Sequence, residues 1–444
     1  MEILEREGIN FQLNLDDFTA SVIESPNAFG SIVIPHHLRY RRQNFNVTII
    51  KSNAFDQNTI DSIIFAKNSE VTTFEDEAFQ NSSIKLIQIP PKLKILEDRC
   101  FFLLKDLVVF DVSPKNNLFS FYNNELLIGK SDENQSTFDI VYFARSDLTE
   151  VVIPSSIKLI KRYAFSESTD LLSIKFEEDS QLEHIEGWVL CENLKKLEIP
   201  KNLKSTEKDA FRYASSLEDI QISPENRVYS WINNTFIVRK EDGNDHIAFC
   251  RRNVTGVQIP KNIKGIDAYA FTKCEKLESI TFEEGSTLEV INDDAFEDIK
   301  GPKNLIIPSS VKFVSSYAFS CVVNLESIQF LSEEIEIESN CFYCSENLTK
   351  ISFPNAKKII FNDSFEEATK IYIREDAEIS GLFIDNNPNH IERIKEIVEK
   401  PKAKPANNQQ LNSTNPEQKG QVNEKAPTTT NPEPVNDSKC CLLV

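Results

Sequence analysis

The sequence is organised by an internal repeat, the pattern L-x-x-[IL]-x-[IF], with a period of about 23 residues. The middle apolar residue of each copy is Ile63, Ile87, Phe110, Ile174, Leu197, Ile220, Ile280, Leu305, Ile328 and Ile351. Their successive spacings are 24, 23, 64, 23, 23, 60, 25, 23 and 23 residues. Because so short a unit cannot bury its own apolar face, the repeats are predicted to stack into a solenoid.

A second signature, Ala-Phe or a near equivalent, precedes most of these segments. Examples are Ala54-Phe55, Ala164-Phe165, Ala295-Phe296 and Cys341-Phe342. The signature accounts for a count of 31 Phe beside 2 Trp and 10 Tyr. A large aromatic beside a small residue suits an interior where backbones approach closely. We therefore predict that each repeat contains a short strand, a turn, and a helical or 3₁₀ turn that carries the Ala-Phe pair.

Two of the spacings exceed the period by about 40 residues, and the two extra segments resemble each other. Residues 112–154 and 222–260 both start near a Ser-Pro, pass through Asn-Asn before an apolar stretch, and return to Ile-Pro. Each segment is predicted to be a β-hairpin inserted between repeats, at about 113–152 and 223–258.

The rest of the chain divides around the repeats. Residues 1–35 are predicted to form an N-terminal cap, and residues 36–385 the solenoid. Residues 386–400 carry apolar side chains at helical spacing and are predicted to form a capping helix over the other end. Residues 401–444 are rich in Pro, Asn, Gln, Thr and Lys, which favours a disordered tail.

The combined pattern Ile-Pro, Ile-x-x-x-Ala-Phe and Leu-x-x-Ile-x-Phe, over roughly residues 34–375, resembles the BspA-like class of leucine-rich repeat proteins. That class is known in bacteria and is expanded in some parasitic protists. The resemblance implies an α/β repeat fold, a leucine-rich-repeat solenoid with a parallel sheet on one side. It also implies a binding function, since some bacterial members are adhesins for host matrix proteins. The C-terminal tetrapeptide is similar to that of BspA-like proteins from amoebic parasites.

Charge and hydropathy exclude several function classes. With 49 Lys+Arg against 69 Asp+Glu, the net charge of −20 argues against nucleic acid as a partner. The amino terminus lacks the basic start and apolar stretch of a secretory signal peptide, and no window approaches 18 consecutive apolar residues. No transmembrane helix is therefore expected, and seven of the nine Cys, from Cys100 to Cys344, are interpreted as reduced thiols in the cytosol.

The last four residues, Cys441-Leu442-Leu443-Val444, fit the prenylation signal C-a-a-X. One prenyl group anchors weakly, so Cys440 is the candidate for a second lipid, by S-acylation. We expect a tail anchored at the cytoplasmic face of the plasma membrane or an endomembrane. A chance match to the motif is the alternative, and the choice between farnesyl and geranylgeranyl stays open.

Side chains alternate along a strand, so the polar residues that flank the buried positions are expected to face outward. They are predicted to form a mixed-charge stripe that binds a protein partner, and the alternative is a solvated face without a ligand. The stripe consists of Ser173, Lys175, Lys196, Glu198, Asp219, Gln221, Ser279, Thr281, Ser327, Gln329, Lys350 and Ser352.

Motifs for catalysis or metal binding are missing from the sequence. Five His occur outside any recognisable nucleophile or metal motif, and the C-x-x-C of Cys341 and Cys344 has no second pair for zinc. Cys341 is interpreted as core packing. We predict a non-enzymatic protein-interaction scaffold without cofactor or metal. The alternatives are a surface-exposed adhesin and an enzyme whose carboxylates converge only in the fold.

Overall fold

The computed structural model describes residues 2–187, 192–362, 369–381 and 391–394. Within these residues the regular structure consists of β-strands, which coil into a solenoid of about 16 turns. The predicted stacking of repeats is confirmed, because all ten marker residues from Ile63 to Ile351 are buried. The α/β class is wrong for the described part of the chain, which contains no helix.

The strands form three consecutive units. The first unit contains β1 (Glu2–Arg6), β2 (Ile9–Asn14), β3 (Thr19–Ile23), β4 (Phe29–Ile34), β5 (His37–Tyr40), β6 (Gln43–Ile50), β7 (Thr59–Phe65), β8 (Thr73–Phe74), β9 (Leu86–Ile89), β10 (Ile95–Leu96) and β11 (Val109–Val112). The second unit contains β12 (Phe119–Tyr122), β13 (Leu126–Gly129), β14 (Ile140–Ala144), β15 (Glu150–Ile153), β16 (Leu159–Ile160), β17 (Ser173–Phe176), β18 (His184–Ile185), β19 (Lys196–Ile199), β20 (Ser205–Thr206) and β21 (Asp219–Ile222).

The third unit completes the described chain. It contains β22 (Tyr229–Ile232), β23 (Phe236–Glu241), β24 (Asn244–Cys250), β25 (Gly256–Ile259), β26 (Ile263–Ile266), β27 (Ser279–Phe282), β28 (Val290–Ile291), β29 (Asn304–Ile307), β30 (Phe313–Val314), β31 (Ser327–Phe330), β32 (Glu334–Ile337), β33 (Lys350–Phe353), β34 (Lys358–Phe361), β35 (Lys370–Arg374), β36 (Glu378–Ser380) and β37 (Ile391–Ile394).

Two parallel ladders run along each unit, and every coil contributes one strand to each. The first ladder consists of β4, β7, β9 and β11, then β15, β17, β19 and β21, then β25 and β27 followed by β29, β31, β33, β35 and β37. The second ladder consists of β6, β8 and β10, then β16, β18 and β20, then β26, β28, β30, β32, β34 and β36. Apolar side chains from both ladders fill the space between them.

The Ala-Phe pairs lie at the corners where the chain passes from the second ladder to the first. Their described members are buried, as predicted. The predicted helical turn does not form there, because the residue before the alanine often has a positive φ. The φ angles are 64° for Tyr163, 59° for Tyr269 and 58° for Tyr317. A left-handed residue interrupts a right-handed helix, so the corner is a sequence of turns.

A three-stranded antiparallel meander begins each unit: β1–β3, β12–β14 and β22–β24. The last strand of each meander pairs in parallel with the first strand of the second ladder. We predicted simple hairpins inserted between repeats, but these strands are continuous with the ladder. The turns Asn123-Asn124 and Asn233-Asn234 have positive φ at both residues, the geometry that two-residue antiparallel turns favour.

Each internal meander separates two hydrophobic clusters, and we call β12–β14 the first wall and β22–β24 the second wall. Leu127 and Phe143 of the first wall pack with the core of the first unit, whereas Leu126 and Ile128 pack with that of the second. The second wall divides its side chains in the same way between the second and third units. Because each internal meander is buried on both faces, its strands contain continuous runs of apolar residues.

The predicted capping helix is wrong for Ile391–Ile394, which form β37 and pair in parallel with β35. The end of a ladder exposes backbone donors and acceptors, and the Ile-rich segment satisfies them as a further strand. The other residues of the predicted helix 386–400 lie outside the described residues, as does the predicted tail 401–444.

Candidate partner-binding surface

The side of the first ladder that faces away from the core, which we call the outer face, carries the polar stripe predicted from the sequence. Ten of the twelve predicted residues are partly or fully exposed. These ten are Lys175, Lys196, Glu198, Asp219, Gln221, Ser279, Thr281, Ser327, Gln329 and Lys350. The stripe therefore exists as a surface, and its role in partner binding stays a prediction.

Exposure of the stripe was predicted wrongly at Ser173 and Ser352, which are 6% and 8% exposed. Ser173 lies level with Glu150 and Lys196 on the neighbouring strands. Ser352 is likewise level with Gln329 and with a tyrosine of the next strand. Both serines are short side chains between long ones, so their neighbours cover them.

The polar groups of the stripe contact one another across neighbouring strands. The Nζ of Lys175 lies 2.8 Å from a carboxylate oxygen of Glu150, and the Nζ of Lys350 lies 5.1 Å from the ring centroid of Tyr372. The Ser327 hydroxyl donates to its cross-strand neighbour at 2.6 Å. Because the ion pair is exposed, its contribution to stability is small. Such contacts also leave less free charge on this part of the face for a partner.

The outer face of the first unit is different, because it carries adjacent exposed apolar side chains, which we call the apolar patch. Phe29, Val33, Ile64 and Val109 are 75%, 54%, 39% and 40% exposed, and Leu86 is partly exposed. Val33 lies level with Ile64, and Leu86 lies level with Val109. Leu86 is level with Ser62, so the two pairs are diagonal neighbours, which long side chains on adjacent strands can bridge. Phe29 lies further along β4, beyond Ser31 on the same face.

The sequence reasoning missed the apolar patch because it marked only the inward positions of each strand. A signal was present in the residues themselves. Strands β4, β7 and β9 read FGSIVI, TIDSIIF and LIQI, with apolar residues at consecutive positions. Consecutive apolar residues in a sheet with one solvent face place some of them outward.

Acidic side chains border the patch. Asp111 follows Val109 on the same face of β11 and accepts a hydrogen bond from the Gln88 amide at 2.7 Å. Asp61 at the start of β7 lies 3.7 Å from Lys85, and both side chains are more than half exposed. The patch is thus an apolar surface with exposed carboxylates at its margin.

Two clefts open beside the walls. The cleft at the second wall has a volume of about 780 Å³, and the cleft near the first wall about 570 Å³. Arg162 lines both clefts. These volumes lie in the range of small-molecule sites, but such sites are mostly apolar, whereas charged residues line much of both clefts.

Charges in the larger cleft are paired with each other. The guanidinium of Arg239 donates to both carboxylate oxygens of Asp267 at 3.0 and 3.1 Å, and His246 Nδ1 lies 3.3 Å from the same carboxylate. Burial alone would raise the pKa of Asp267, but His246 and Arg239 lower it. Gly265 lies against the His246 ring, where a Cβ would clash. The Asp267 carboxylate in this cleft is therefore paired within the protein.

Among the described residues, no group of three or more His, Cys, Asp or Glu is arranged to hold a metal ion. Nor does that part of the chain contain a helix long and apolar enough to cross a membrane. Cys341 is fully buried beside Phe342, as predicted for core packing. The two lipidation candidates, Cys440 and Cys441, lie outside the described residues.

Comparison with protein families matches the model for the BspA type leucine rich repeat region, in six copies, at residues 25–127, 136–237 and 245–372. The gaps between these ranges fall within the first and second walls. Comparison with curated protein sequences gave no significant match.

The chain is similar to several solved structures at low sequence identity, and one of them has a TM-score above 0.5. A leucine rich cell surface protein from Faecalibacterium prausnitzii is 18% identical, with a TM-score of 0.52 over 89% of this chain and 99% of that one. The pneumococcal vaccine antigen PcpA is 17% identical, with a TM-score of 0.42 over 90% and 99% of the two chains. A leucine-rich repeat protein from Eubacterium ventriosum is 18% identical, with a TM-score of 0.41 over 71% and 93%.

Proposed function

Because the chain belongs to the BspA-type leucine-rich repeat family, we propose that it is a non-enzymatic binding protein whose solenoid presents the outer face of the first ladder to a protein partner. The family supports binding as the general role. The place of binding is argued from this chain's own surface, since one repeat scaffold serves many partners.

The observation that carries the proposal is the apolar patch on the first unit. A monomeric protein gains nothing from exposing Val33 and Ile64 side by side, and contiguous exposed apolar surfaces mark interaction sites. Covering a half-exposed Val or Ile with a partner contributes on the order of 1 kcal/mol. The patch therefore supplies the apolar centre that protein interfaces need.

The acidic border of the patch defines the chemistry of the partner. Asp111 lies at its margin, as does Asp61 in an exposed pair with Lys85, and residues 1–400 hold 44 basic and 65 acidic residues, a net charge of −21. A protein surface with apolar side chains surrounded by Lys or Arg complements this arrangement and is steered toward it. The polar stripe of the second and third units would extend the contact with weaker, mutually paired groups.

We also propose that Cys441 is prenylated, with Cys440 as a second, acylated site, so that the solenoid is tethered to the cytosolic face of a membrane. The support is the C-a-a-X sequence of residues 441–444. An acidic solenoid is repelled by an anionic leaflet, so the lipid would supply the membrane affinity. Random-coil scaling for 44 residues, the conformation that the composition of residues 401–444 predicts, corresponds to an r.m.s. reach of roughly 35–40 Å, which would leave the outer face free to bind.

The alternative location is the cell surface, where the protein would act as an adhesin for host or matrix proteins, as the family resemblance implies. Protease treatment of intact cells distinguishes the two locations, because only a surface protein is cleaved. Labelling with a prenyl analogue tests the tether separately. Label on the wild type that is lost in Cys441→Ser supports it, and equal label on both proteins contradicts it.

The docking surface is tested by comparing partners captured by proximity labelling from three full-length proteins. The first is the wild type, and the second is the double variant Val33→Asp, Ile64→Asp. The third is the control Val323→Asp, which replaces a valine of similar exposure, 57% against 54%, at a corner of the third unit. Proteins lost from the double variant but kept by the control support the proposal. Identical partner sets from all three would contradict it.

A further inference from the structure

A buried arginine that has no carboxylate partner lies two residues after the last strand of the second wall. Arg252 is 7% exposed, and its guanidinium donates to the carbonyl oxygens of Ala270 at 2.9 Å and Phe211 at 3.3 Å. Its Cζ lies 4.4 Å from the ring centroid of Phe249, and its Nε has no partner among the described residues. No described carboxylate lies within 4.0 Å of it. A buried charge without a counter-charge is costly.

Two thiols occupy the place where the counter-charge is needed. The Sγ of Cys274 lies 3.8 Å from Nη1 of Arg252. Cys250, the last residue of β24, lies close to Cys274, because both sulfurs contact the same backbone carbonyl oxygen. In their thiol forms both donate to the carbonyl oxygen of Arg251, at 3.6 Å from Cys250 and 3.7 Å from Cys274. The guanidinium of Arg251 itself points elsewhere, over a tryptophan ring.

The titration of the two thiols is consistent with a charge on Cys274. Burial alone would raise the pKa of Cys274, but the hydrogen bond from Cys250 and the guanidinium of Arg252 lower it. Burial raises the pKa of Cys250, and its bond to Cys274 raises it further. The pKa of Cys250 is thus raised and that of Cys274 lowered, so Cys274 is the thiol that loses its proton first. Cys250 and Arg252 are the titratable groups that act on Cys274 within the described chain.

An internal comparison shows that the fold does not need these groups. In both walls the last residue of the third strand donates its N–H to the alanine of an Ala-Phe pair, at 2.7 and 2.9 Å. In both walls an arginine follows the third strand, and its carbonyl oxygen is contacted by the side chain four residues after that alanine. The distances are 3.3 Å in the first wall and 3.7 Å in the second. In the first wall, the equivalents of Cys250, Arg252 and Cys274 are Ala144, Ser146 and Ser168.

We propose that Arg252 holds Cys274 as a thiolate and that Cys274 and Cys250 form a peroxide-sensitive thiol pair at the second wall. The Cys274 thiolate attacks one oxygen of hydrogen peroxide, which breaks the O–O bond, gives Cys274 sulfenic acid, and releases hydroxide. The Cys250 sulfur then attacks the sulfenic sulfur. A disulfide forms, the Cys250 proton and the sulfenic hydroxyl leave as water, and peroxide is the species reduced.

The disulfide would join the end of β24 to the corner that follows β26. It would cross-link the second wall to the first coil of the third unit without involving the apolar patch. Cys100 is the matched internal reference, because it is buried like Cys250 and Cys274, and its pKa is raised by burial and by nearby carboxylates instead of being lowered by an arginine. A thiolate reacts and a buried neutral thiol is inert, so the two cysteines should differ in rate by at least about tenfold.

The test treats the native full-length protein with hydrogen peroxide and maps its peptides by mass. The expected result is a peptide linked through Cys250 and Cys274, lighter by two hydrogen atoms, that forms at least about ten times faster than any oxidation of Cys100. The triple variant Cys250→Ala, Arg252→Ser, Cys274→Ser copies the first wall and serves as the folded control without the pair. It should give no linked peptide.

A second measurement tests whether Arg252 promotes ionisation of Cys274, independently of disulfide formation. Thiolates absorb in the ultraviolet, so the absorbance of Cys274→Ser is subtracted from that of the wild type. The difference should reveal a thiolate at neutral pH. In the Arg252→Ser background, its titration midpoint should move up by roughly one to two pH units. The proposal is overturned if the linked peptide does not form in the wild type. It is also overturned if Arg252→Ser leaves the midpoint unchanged, because the arginine would then not set the charge.

Discussion

The rings of Phe296 and Phe319 stack with their centroids 5.2 Å apart and their planes 3° from parallel. Both belong to Ala-Phe pairs on successive coils, and Phe271 and Phe342 extend the same stack on either side. The small residue before each phenylalanine lets the corners approach closely enough for this contact. The repeat period is therefore visible in the interior as a row of aromatic rings.

The stack predicts a large loss of stability when one ring is removed. Phe296→Ala should lower the free energy of unfolding by about 3–5 kcal/mol, because it removes a fully buried ring and leaves a cavity. Denaturant unfolding measures the change. Phe29→Ala is the control, since Phe29 is 75% exposed and its loss should cost less than about 0.5 kcal/mol. Equal losses in the two variants would contradict this packing account.

The turn between the first two strands of the first wall predicts a dependence on backbone conformation. Asn124 has a φ of 56°, which glycine adopts freely and a β-branched residue adopts at a cost. Asn124→Gly should leave the thermal midpoint nearly unchanged, whereas Asn124→Val should lower the free energy of unfolding by about 1–2 kcal/mol. Asn134 is an exposed loop residue without a positive φ, so the same two substitutions there should differ much less in the free energy of unfolding.

The wall predicts coupling between neighbouring units. Leu127 of the first wall is fully buried in the core of the first unit, and Leu126 beside it in that of the second. Leu127→Ala and Leu126→Ala should each cost about 2–5 kcal/mol. Hydrogen exchange should show faster opening in both units for either variant. An effect confined to one unit would mean that the wall does not couple them.

The pair of Arg239 and Asp267 predicts acid sensitivity. Because the pKa of Asp267 is lower in the folded state, its contribution to stability is present above its unfolded pKa of about 4. That contribution is lost as pH falls through the depressed folded value. The free energy of unfolding should thus fall less steeply below pH 5 in Asp267→Asn than in the wild type. At neutral pH the variant should be less stable by about 1–3 kcal/mol, because Arg239 loses its buried partner.

Asp376 supplies a matched control for that prediction. It accepts two hydrogen bonds from Arg374 at 2.7 and 2.8 Å, the same bidentate arrangement as in the buried pair, but at a fully exposed site. Solvent screens an exposed pair, so Asp376→Asn should have little effect at neutral pH. If the two variants destabilise the protein equally, burial of Asp267 is not what makes its ion pair important.

The sequence was sufficient for the period, the inward residues and the buried Ala-Phe corners, because each recurs many times and packing demands the same residue at each recurrence. Sequence reasoning failed where neighbouring strands determine the conformation or the exposure of a residue. Ile391 and Ile394 have helical spacing, but the open ladder edge beside β35 takes them as a strand. Ser173 occupies an outward position and is still buried, because its neighbours are longer.

The candidate sites were harder to predict than the fold for a related reason. The apolar patch depends on which of two adjacent apolar residues, such as Ile63 and Ile64, faces the core, and only the strand register decides this. Cys250 and Cys274 are 24 residues apart in the sequence, and nothing in either segment marks them as neighbours. Their contact arises because the wall ends beside the corner of the following coil.

The most direct test of the binding proposal places a photo-crosslinking amino acid at Ile64, in the centre of the apolar patch, in the full-length protein in cells. The same amino acid at Val323, an exposed apolar position outside the patch, is the control. We predict discrete cross-linked partners at position 64 that are missing at position 323 and that disappear when Val33→Asp is added. The same adducts at both positions, or adducts that persist with Val33→Asp, would contradict the account.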